Sequence, residues 1–381
     1  MTWLSKLDDE QILLIKFWIP AIVNGLLVWV LLLYLGETPL LRATGLAAVI
    51  VGVTLALRRM GSVLAAVGGL SLALSPAFWS QTGGAEGEPA RIVIAIALAL
   101  IVVAATVLLS KRPYIGFGLG VIVFAGLFWS QIGTPRSIRL TGFIVGWLMY
   151  LLIDMLLVTN PRPEDAPMIL RDGGMRTVDS AITARPYHTF GILLLIAIGI
   201  INDPLLTLLM PSVVIALLLT NTKLNRLYWS GIGLVAGIGV TSLWGTYLVN
   251  QAHFLVLDNW QQGAEWIEMI KLLIGQFTIA GAILSILGLA RLARWYPPLG
   301  TVSMIGFAAY WLFGTVYIGP NESILLLPMY VIVVLWMSYA VLALSEWASR
   351  TLAKQPRIGR YLVIAIYAIL PAWMLFQIIA A

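Results

Sequence analysis

The sequence predicts an all-α membrane protein with many membrane-crossing helices, and three observations support this. Hydrophobic residues make up 60% of the 381 residues and charged residues only 10%, and the mean hydropathy is +0.96, which is far more apolar than a protein with a hydrated surface. Apolar stretches of about 17 to 22 residues recur along the chain, close to the roughly 20 that cross a hydrocarbon core as a helix. No stretch alternates polar and apolar residues as the strands of a membrane barrel do.

Thirteen spans are predicted, all within a single transmembrane domain that covers residues 1–381. The 31-residue apolar run 190–220 is longer than one span needs. It is read as two shorter helices, because the Asn202-Asp203-Pro204 sequence at its middle favours a tight turn. The other spans are expected at 17–35, 43–57, 62–79, 92–110, 114–130, 141–158, 227–248, 270–290, 299–318, 323–345 and 361–380.

Two polar segments interrupt the spans. Residues 160–188 are predicted to form a cytoplasmic loop that is too short to build a core of its own. Residues near 251–270 are predicted to form an outer interfacial helix, with Trp260 in the headgroup region and Glu265 and Glu268 facing water. The absence of cysteine excludes disulfides and thiolate metal sites.

The placement of basic residues predicts a cytoplasmic N-terminus. If the spans alternate from that start, 18 of the 23 Lys and Arg residues lie on the cytoplasmic side, as the positive-inside rule requires. Cytoplasmic topology signals and anionic lipids then account for the net charge of +6, and no nucleic-acid partner is implied. On this topology the two Phe-Trp-Ser-Gln segments, 78–81 and 128–131, both mark the outer interface.

Three segments, in order along the chain, resemble a bacterial multi-pass family related to protein O-mannosyltransferases. They are "LALSPAFWSQTGGAEGEPARI" with Ser75, Pro76, Phe78, Trp79, Ser80, Gln81, Ala85 and Glu86, then "GIINDPLLTLLMPSVVIALLL", and finally "FGTVYIGPNESILLLPMYVIVVLW". The resemblance implies a C-type glycosyltransferase fold in a prokaryotic plasma membrane. It also implies transfer of a sugar from polyprenyl phosphate at the outer face, by an outer carboxylate that deprotonates an acceptor hydroxyl or coordinates a metal.

The chain departs from that family in two places. The family's acidic first outer loop is reduced here to "GETPLLR", in which Glu37 is the sole acid. An aspartate that the family often carries near the C-terminus is replaced by Asn321, with Glu322 beside it.

The remaining polar residues on the predicted outer side are the site candidates. A carboxylate in a loop is more often only solvated, so the alternative for each acidic candidate is that it has no function beyond contact with water. The expected catalytic acids are Glu86, Glu88 and Asp203. The expected substrate-binding residues are Glu37, Arg91, Arg136, Arg139, Trp79, Gln81, Asn321 and Glu322. The sequence contains no histidine cluster for a metal, although a divalent cation is a candidate cofactor.

Two functions therefore stay open at this point. One is an enzyme that acts on a polyprenyl-phosphate-linked sugar, with membrane lipids as its surroundings. The other is a non-catalytic descendant of that fold, which binds lipid or serves as one subunit of a larger membrane complex. The missing first-loop acids favour the second function, and the retained Ser-Pro-x-Phe-Trp-Ser-Gln segment favours the first.

Overall fold

A computed structural model describes residues 9–83, 138–159, 186–220, 224–352 and 355–380. In these ranges the regular structure is helical, apart from one isolated antiparallel bridge between Leu255 and Tyr317. Eight of the described helices are long and apolar enough to cross a membrane, and three shorter apolar helices accompany them. The all-α membrane class is thus confirmed. The total of thirteen spans stays a prediction, because the spans 92–110 and 114–130 lie outside the described residues.

The α-helices are numbered here in chain order. The first half contains α1 (Asp9–Tyr34), α2 (Leu40–Leu57), α3 (Ser62–Ala73), α4 (Pro76–Trp79), α5 (Ile138–Thr159), α6 (Pro186–Asn202) and α7 (Met210–Leu218). The second half contains α8 (Arg226–Leu243), α9 (Gly263–Trp295), α10 (Pro297–Val316), α11 (Glu322–Leu325), α12 (Leu327–Thr351) and α13 (Pro356–Ala380).

The turns between helices lie at two ends of the bundle that differ in charge. The end where α2 meets α3, called the basic end, carries Arg58, Arg59, Arg226, Arg291, Arg294, Arg350, Arg357 and Arg360. The opposite end, called the acidic end, carries Glu37, Asp203, Asp258, Glu265, Glu268 and Glu322. Their charges make the basic end the expected cytoplasmic face, and this orientation stays a prediction.

The break predicted in the run 190–220 is confirmed. Helix α6 ends at Asn202, and a short 3-10 helix, Pro204–Leu209, leads into α7. Pro204 occupies the first position of the new helix, where its missing N–H costs nothing. Both halves of the run therefore remain too short to span a membrane as one straight helix.

The segment near 251–270 differs from the single interfacial helix that the sequence suggested. Residues 251–262 contain two short 3-10 helices, Ala252–Phe254 and Leu257–Gln261, and Gly263 already begins the 33-residue α9. Backbone hydrogen bonds tie this segment to the end of α10, from Val256 N to Val316 O and from Ile318 N to Phe254 O, both at 2.9 Å. Those bonds hold its backbone extended at the bridge, which a continuous helix cannot accommodate.

Helix α12 is the centre of the bundle. Every residue from Leu326 to Val341 is buried, and the helix packs against α3, α9, α10 and α13. A helix that is apolar all around its circumference is expected in such a position. The polar turns at both ends of the bundle therefore surround the two ends of this buried helix.

Helix α9 crosses α12 closely and is itself broken. At Gly288 an added Cβ would meet the backbone of Trp336, so the two helices touch backbone to backbone. Nearer the acidic end, Thr278 interrupts α9 with φ 62° and ψ 171°. The first turns of α9 are thus free to adopt a direction of their own at the acidic end.

Candidate functional site

The Ser-Pro-x-Phe-Trp-Ser-Gln segment forms the one-turn helix α4 at the acidic end. Ser75 is extended and Pro76 occupies the first helical position. Phe78 is fully buried, and Gln81 is buried with its Nε2 donating to Ala77 O at 3.4 Å. Trp79 is only partly buried. Phe78 therefore packs in the core and holds this segment in place, whereas Trp79 reaches the surface.

Two other elements hold α4 in place. Gln276, which lies just before the break in α9, accepts a hydrogen bond at Oε1 from the Ala77 N–H at 2.8 Å. Helix α11 also packs against α4. The structure thereby brings two pairs of predicted site residues into one region, Trp79 and Gln81 on one side and Asn321 and Glu322 on the other.

The turn between α1 and α2 adds Glu37 to the same end. Thr38 Oγ1 accepts from the Gly83 N–H at 3.1 Å, and Arg42 Nη1 donates to Gly83 O at 3.3 Å. Glu37 itself is exposed, with φ 44°. The turn that carries Glu37 thus lies beside the chain segment that follows Gln81.

A cleft of about 470 Å³ opens between the start of α9 and the turn that carries α11. Its lining residues are Glu265, Glu268, Met269, Leu272, Gly314, Tyr317, Ile318 and Glu322. Lys271 Nζ lies 2.6 Å from Glu268 Oε1, and both side chains are largely exposed. The cleft thus combines three carboxylates with an apolar wall.

The surroundings of Glu322 in the cleft change the pKa of its carboxyl group. Burial, and next the negative charge of Glu265, raise the pKa of Glu322 from 4.5 to about 7. Because the folded-state pKa is raised, the protonated form is the one that the fold favours. The contribution of Glu322 to stability is therefore full below pH 4.5 and is lost as the pH rises to about 7.

Asn321 occupies a backbone conformation that explains its residue type. Its φ of 62° and ψ of 22° are left-handed, a region that asparagine, aspartate and glycine enter more readily than other residues. Asparagine therefore suits this turn, and as a neutral residue it adds no negative charge beside Glu322.

Asp203 has a structural role that the sequence did not show. Its Oδ1 accepts from the Leu205 N–H at 2.9 Å and caps the helix Pro204–Leu209. Its Oδ2 accepts from Thr141 Oγ1 at 3.3 Å, and Asn202 Nδ2 donates to the same hydroxyl at 3.1 Å. Asp203 is buried, and its carboxylate has hydrogen-bond partners, as a buried polar group requires. It is not among the residues that line the cleft.

This geometry predicts losses of different size for two replacements of Asp203. Asparagine keeps the oxygen that caps the helix but has no second oxygen for the Thr141 hydroxyl, so Asp203→Asn is expected to lower the free energy of unfolding less than Asp203→Ala does. Asp203→Ala is expected to lower it by about 1–2 kcal/mol. Differential scanning fluorimetry in detergent compares them. If Asp203→Asn removes a measured transfer activity while the protein stays folded, Asp203 is a candidate catalytic acid again.

A second charged cluster lies at the basic end. Asp154 is buried in α5 and accepts from Arg58 Nη2 at 2.5 Å, from Arg59 Nη2 at 3.2 Å and from His188 Nε2 at 2.9 Å. Arg58 Nη1 also donates to Tyr150 Oη at 3.0 Å. The cluster joins the end of α2 to α5 and α6. No local pattern in the sequence reports these contacts, because the partners lie 34 to 96 residues away from Asp154 along the chain.

The other predicted site residues lie outside the described side chains. Glu86, Glu88, Arg91 and Arg136 fall in the range 84–137, and only the backbone of Arg139 is described, at the start of α5. Their expected roles stay predictions. In the described ranges, no group of three histidine or acidic side chains is placed to hold a metal ion, so no divalent cation is assigned to this part of the chain.

The cleft combines residues that sequence reasoning did not group. Glu265 and Glu268 were expected only to face water, and Gln276 was not singled out at all. Fifty-seven residues separate Glu265 from Glu322 and 199 separate Ala77 from Gln276, so no local pattern reports either proximity. Comparisons with protein-family models, with curated proteins and with solved structures give no match to this chain.

Proposed function

We propose that this chain is a glycosyltransferase-like membrane protein that acts at its acidic end on a sugar carried by polyprenyl phosphate. The observation that carries the proposal is the cleft in which Glu322 has a pKa of about 7. A group with that pKa is suited to accept a proton near neutral pH. The Ser-Pro-x-Phe-Trp-Ser-Gln helix beside it is the segment that carries the resemblance to the glycosyltransferase family.

The proposed chemistry assigns roles to two carboxylates in the cleft and to side chains near it. The ionised Glu322 takes the proton from an acceptor hydroxyl, whose oxygen then bonds to the anomeric carbon as the polyprenyl phosphate leaves. Glu265 tunes this base, because its negative charge disfavours ionisation of Glu322. Trp79, which is only partly buried, is the nearby group proposed to contact the sugar, whereas Gln81 is buried.

The phosphate of the donor is proposed to bind outside the cleft. Lys271 is engaged by Glu268, and Arg42 by the carbonyl of Gly83, so in the described part of this end both cations have partners. An acidic cleft repels phosphate and suits a hydroxyl. Arg91, Arg136 and Arg139 are therefore the residues proposed to hold the phosphate.

Replacement of Glu322 tests the catalytic proposal. In lipid nanodiscs loaded with a polyprenyl-phosphate hexose, Glu322→Gln is expected to lower the release of polyprenyl phosphate about 100-fold or more, the usual contribution of a general base. Binding of the intact donor, followed by native mass spectrometry, is expected to persist. The wild-type rate should rise with pH around a midpoint near 7, because only ionised Glu322 accepts the proton.

Two variants complete this experiment. Glu265→Gln is expected to move the midpoint to lower pH, since it removes the charge that opposes ionisation of Glu322. Glu346→Gln, at the other end of the bundle, serves as the control with an unchanged rate and midpoint. Equal rates for Glu322→Gln and wild type rule out Glu322 as the base.

A non-catalytic membrane subunit is the second candidate function. One observation favours it: Asp154, which lies within an apolar helix, and Asp203, which lies in the turn after another, both serve as structural hydrogen-bond acceptors. Native mass spectrometry of gently extracted protein separates the two candidates. A bound polyprenyl-phosphate sugar that is lost when Glu86 and Arg91 are replaced supports the enzyme. Stoichiometric protein partners without that lipid support the subunit.

A further inference from the structure

The turn from α2 to α3 at the basic end gathers positive charge around a small stretch of backbone. The 3-10 helix Arg58–Met60 contributes two guanidinium groups. Arg360, from the first turns of α13, donates from Nη2 to Met60 O at 3.4 Å. A Cβ on Gly61 would lie 3.0 Å from that same nitrogen, and Gly61 has φ 108°. Glycine thus permits Arg360 to approach the turn.

The charges at this turn do not balance within the described residues. Among the side chains that the structure describes, Asp154 is the acid that bonds these arginines, and it faces both Arg58 and Arg59. Arg58 is committed to the interior, because it also bonds Tyr150 and lies over the rings of Phe17 and Tyr150. The side chain of Arg59 is one-third exposed and Arg360 is exposed, so both remain accessible from outside.

The start of α3 adds backbone donors to the same place. No side chain caps this helix, and its first intrahelical backbone hydrogen bond runs from Ala65 N to Gly61 O. The N–H groups of Ser62 and Val63 precede that bond, and both residues are exposed. N–H groups at the start of a helix, together with its dipole, favour an anion.

We propose that this turn is a phosphate-binding site, in which Arg59, Arg360 and the first N–H groups of α3 hold the phosphate oxygens. Arginine is suited to such a role because its planar fork donates two parallel hydrogen bonds. The phosphate belongs either to the headgroup of an anionic lipid or to a soluble phosphate compound. The exposed apolar side chains Tyr361 and Leu362 beside Arg360 can accompany an acyl chain, which favours the lipid. The site lies at the opposite end from the cleft and is independent of the proposed transfer reaction.

Native mass spectrometry of the detergent-solubilised chain titrated with phosphatidylglycerol tests this site. Arg59→Gln and Arg360→Gln are each expected to weaken binding about tenfold, the loss of one charge-assisted contact. Arg357→Gln, from the same turn of α13, is the matched control and should bind as wild type does. Ser62→Pro removes one N–H without changing the charge, and it is expected to weaken binding two- to threefold, as a rough measure of a neutral donor.

The outcomes distinguish the two sources of phosphate. Phosphatidylcholine is expected to bind equally to all variants, and millimolar inorganic phosphate is expected not to displace phosphatidylglycerol from the wild type. Displacement by inorganic phosphate that requires Arg59 and Arg360 assigns the site to a soluble phosphate compound. If the two arginine variants and Arg357→Gln, all with wild-type melting temperatures, retain phosphatidylglycerol equally, the turn is not a phosphate site.

Discussion

Replacing Asp154 by alanine is expected to lower the free energy of unfolding by about 3–5 kcal/mol, the cost of breaking a buried ion pair from one side. Asp154 is 5% exposed and accepts hydrogen bonds from Arg58, Arg59 and His188. Its removal leaves the mostly buried Arg58 side chain without a counter-charge among these partners. Because the cluster joins α2, α5 and α6, the loss is expected to loosen the packing of all three helices.

Unfolding in increasing fractions of SDS, followed by tryptophan fluorescence, measures this loss. Glu268→Ala is the control, since it removes an exposed pair with Lys271 that is worth about 0–1 kcal/mol. Combining Asp154→Ala with Arg58→Met is expected to recover part of the stability, because the second change removes the uncompensated charge. A loss from Asp154→Ala no larger than that from Glu268→Ala contradicts the structural role of the cluster.

Replacing Gly288 by alanine is expected to cost about 3 kcal/mol, the upper part of the usual range for an overpacked contact. The added Cβ would lie 1.8 Å from Trp336 O and 2.5 Å from Trp336 C. A backbone carbonyl cannot rotate away as a flexible side chain can. Helices α9 and α12 must therefore separate, and α12 is the buried centre of the bundle.

Gly275→Ala provides the matched control in the same helix. Gly275 is exposed, and nothing lies within 4 Å of an added Cβ. Alanine favours helical backbone more than glycine does, so this variant is expected to be neutral or to gain up to about 1 kcal/mol. Both variants enter the same SDS unfolding series. If Gly288→Ala and Gly275→Ala are equally stable, the backbones of α9 and α12 do not approach as closely at Gly288 as described.

The parts of the fold that the sequence predicted are those that depend on neighbours along the chain. Apolar runs of membrane length identified the long helices, because hydropathy is a local property. Asn202, Asp203 and Pro204 revealed the break between α6 and α7, since residues of these types constrain the backbone on their own. The break at Thr278 went unnoticed, because no residue type typical of a kink marks it.

The candidate site was predicted less well, since its parts meet only through the fold. The sequence placed Glu37, Trp79, Gln81, Asn321 and Glu322 at the same end of the spans. It did not show that Gln276 holds α4, or that Glu265 lies near enough to raise the pKa of Glu322. The capping role of Asp203 was also hidden, because the position of an acid within a turn does not reveal its acceptor bonds.

The break in α9 determines where the cleft lies relative to the rest of that helix. Residues 279–295, after the break at Thr278, extend about 25 Å at 1.5 Å per residue, close to the roughly 30 Å of the hydrocarbon core of a bilayer. The polar first turns that carry Glu265 and Glu268 precede the break. On the predicted topology the cleft is therefore expected at the depth of the lipid headgroups, where a molecule diffusing within the bilayer meets it sideways. Bilayer thickness, and not only chemistry, is then expected to govern how deeply the carboxylates are immersed.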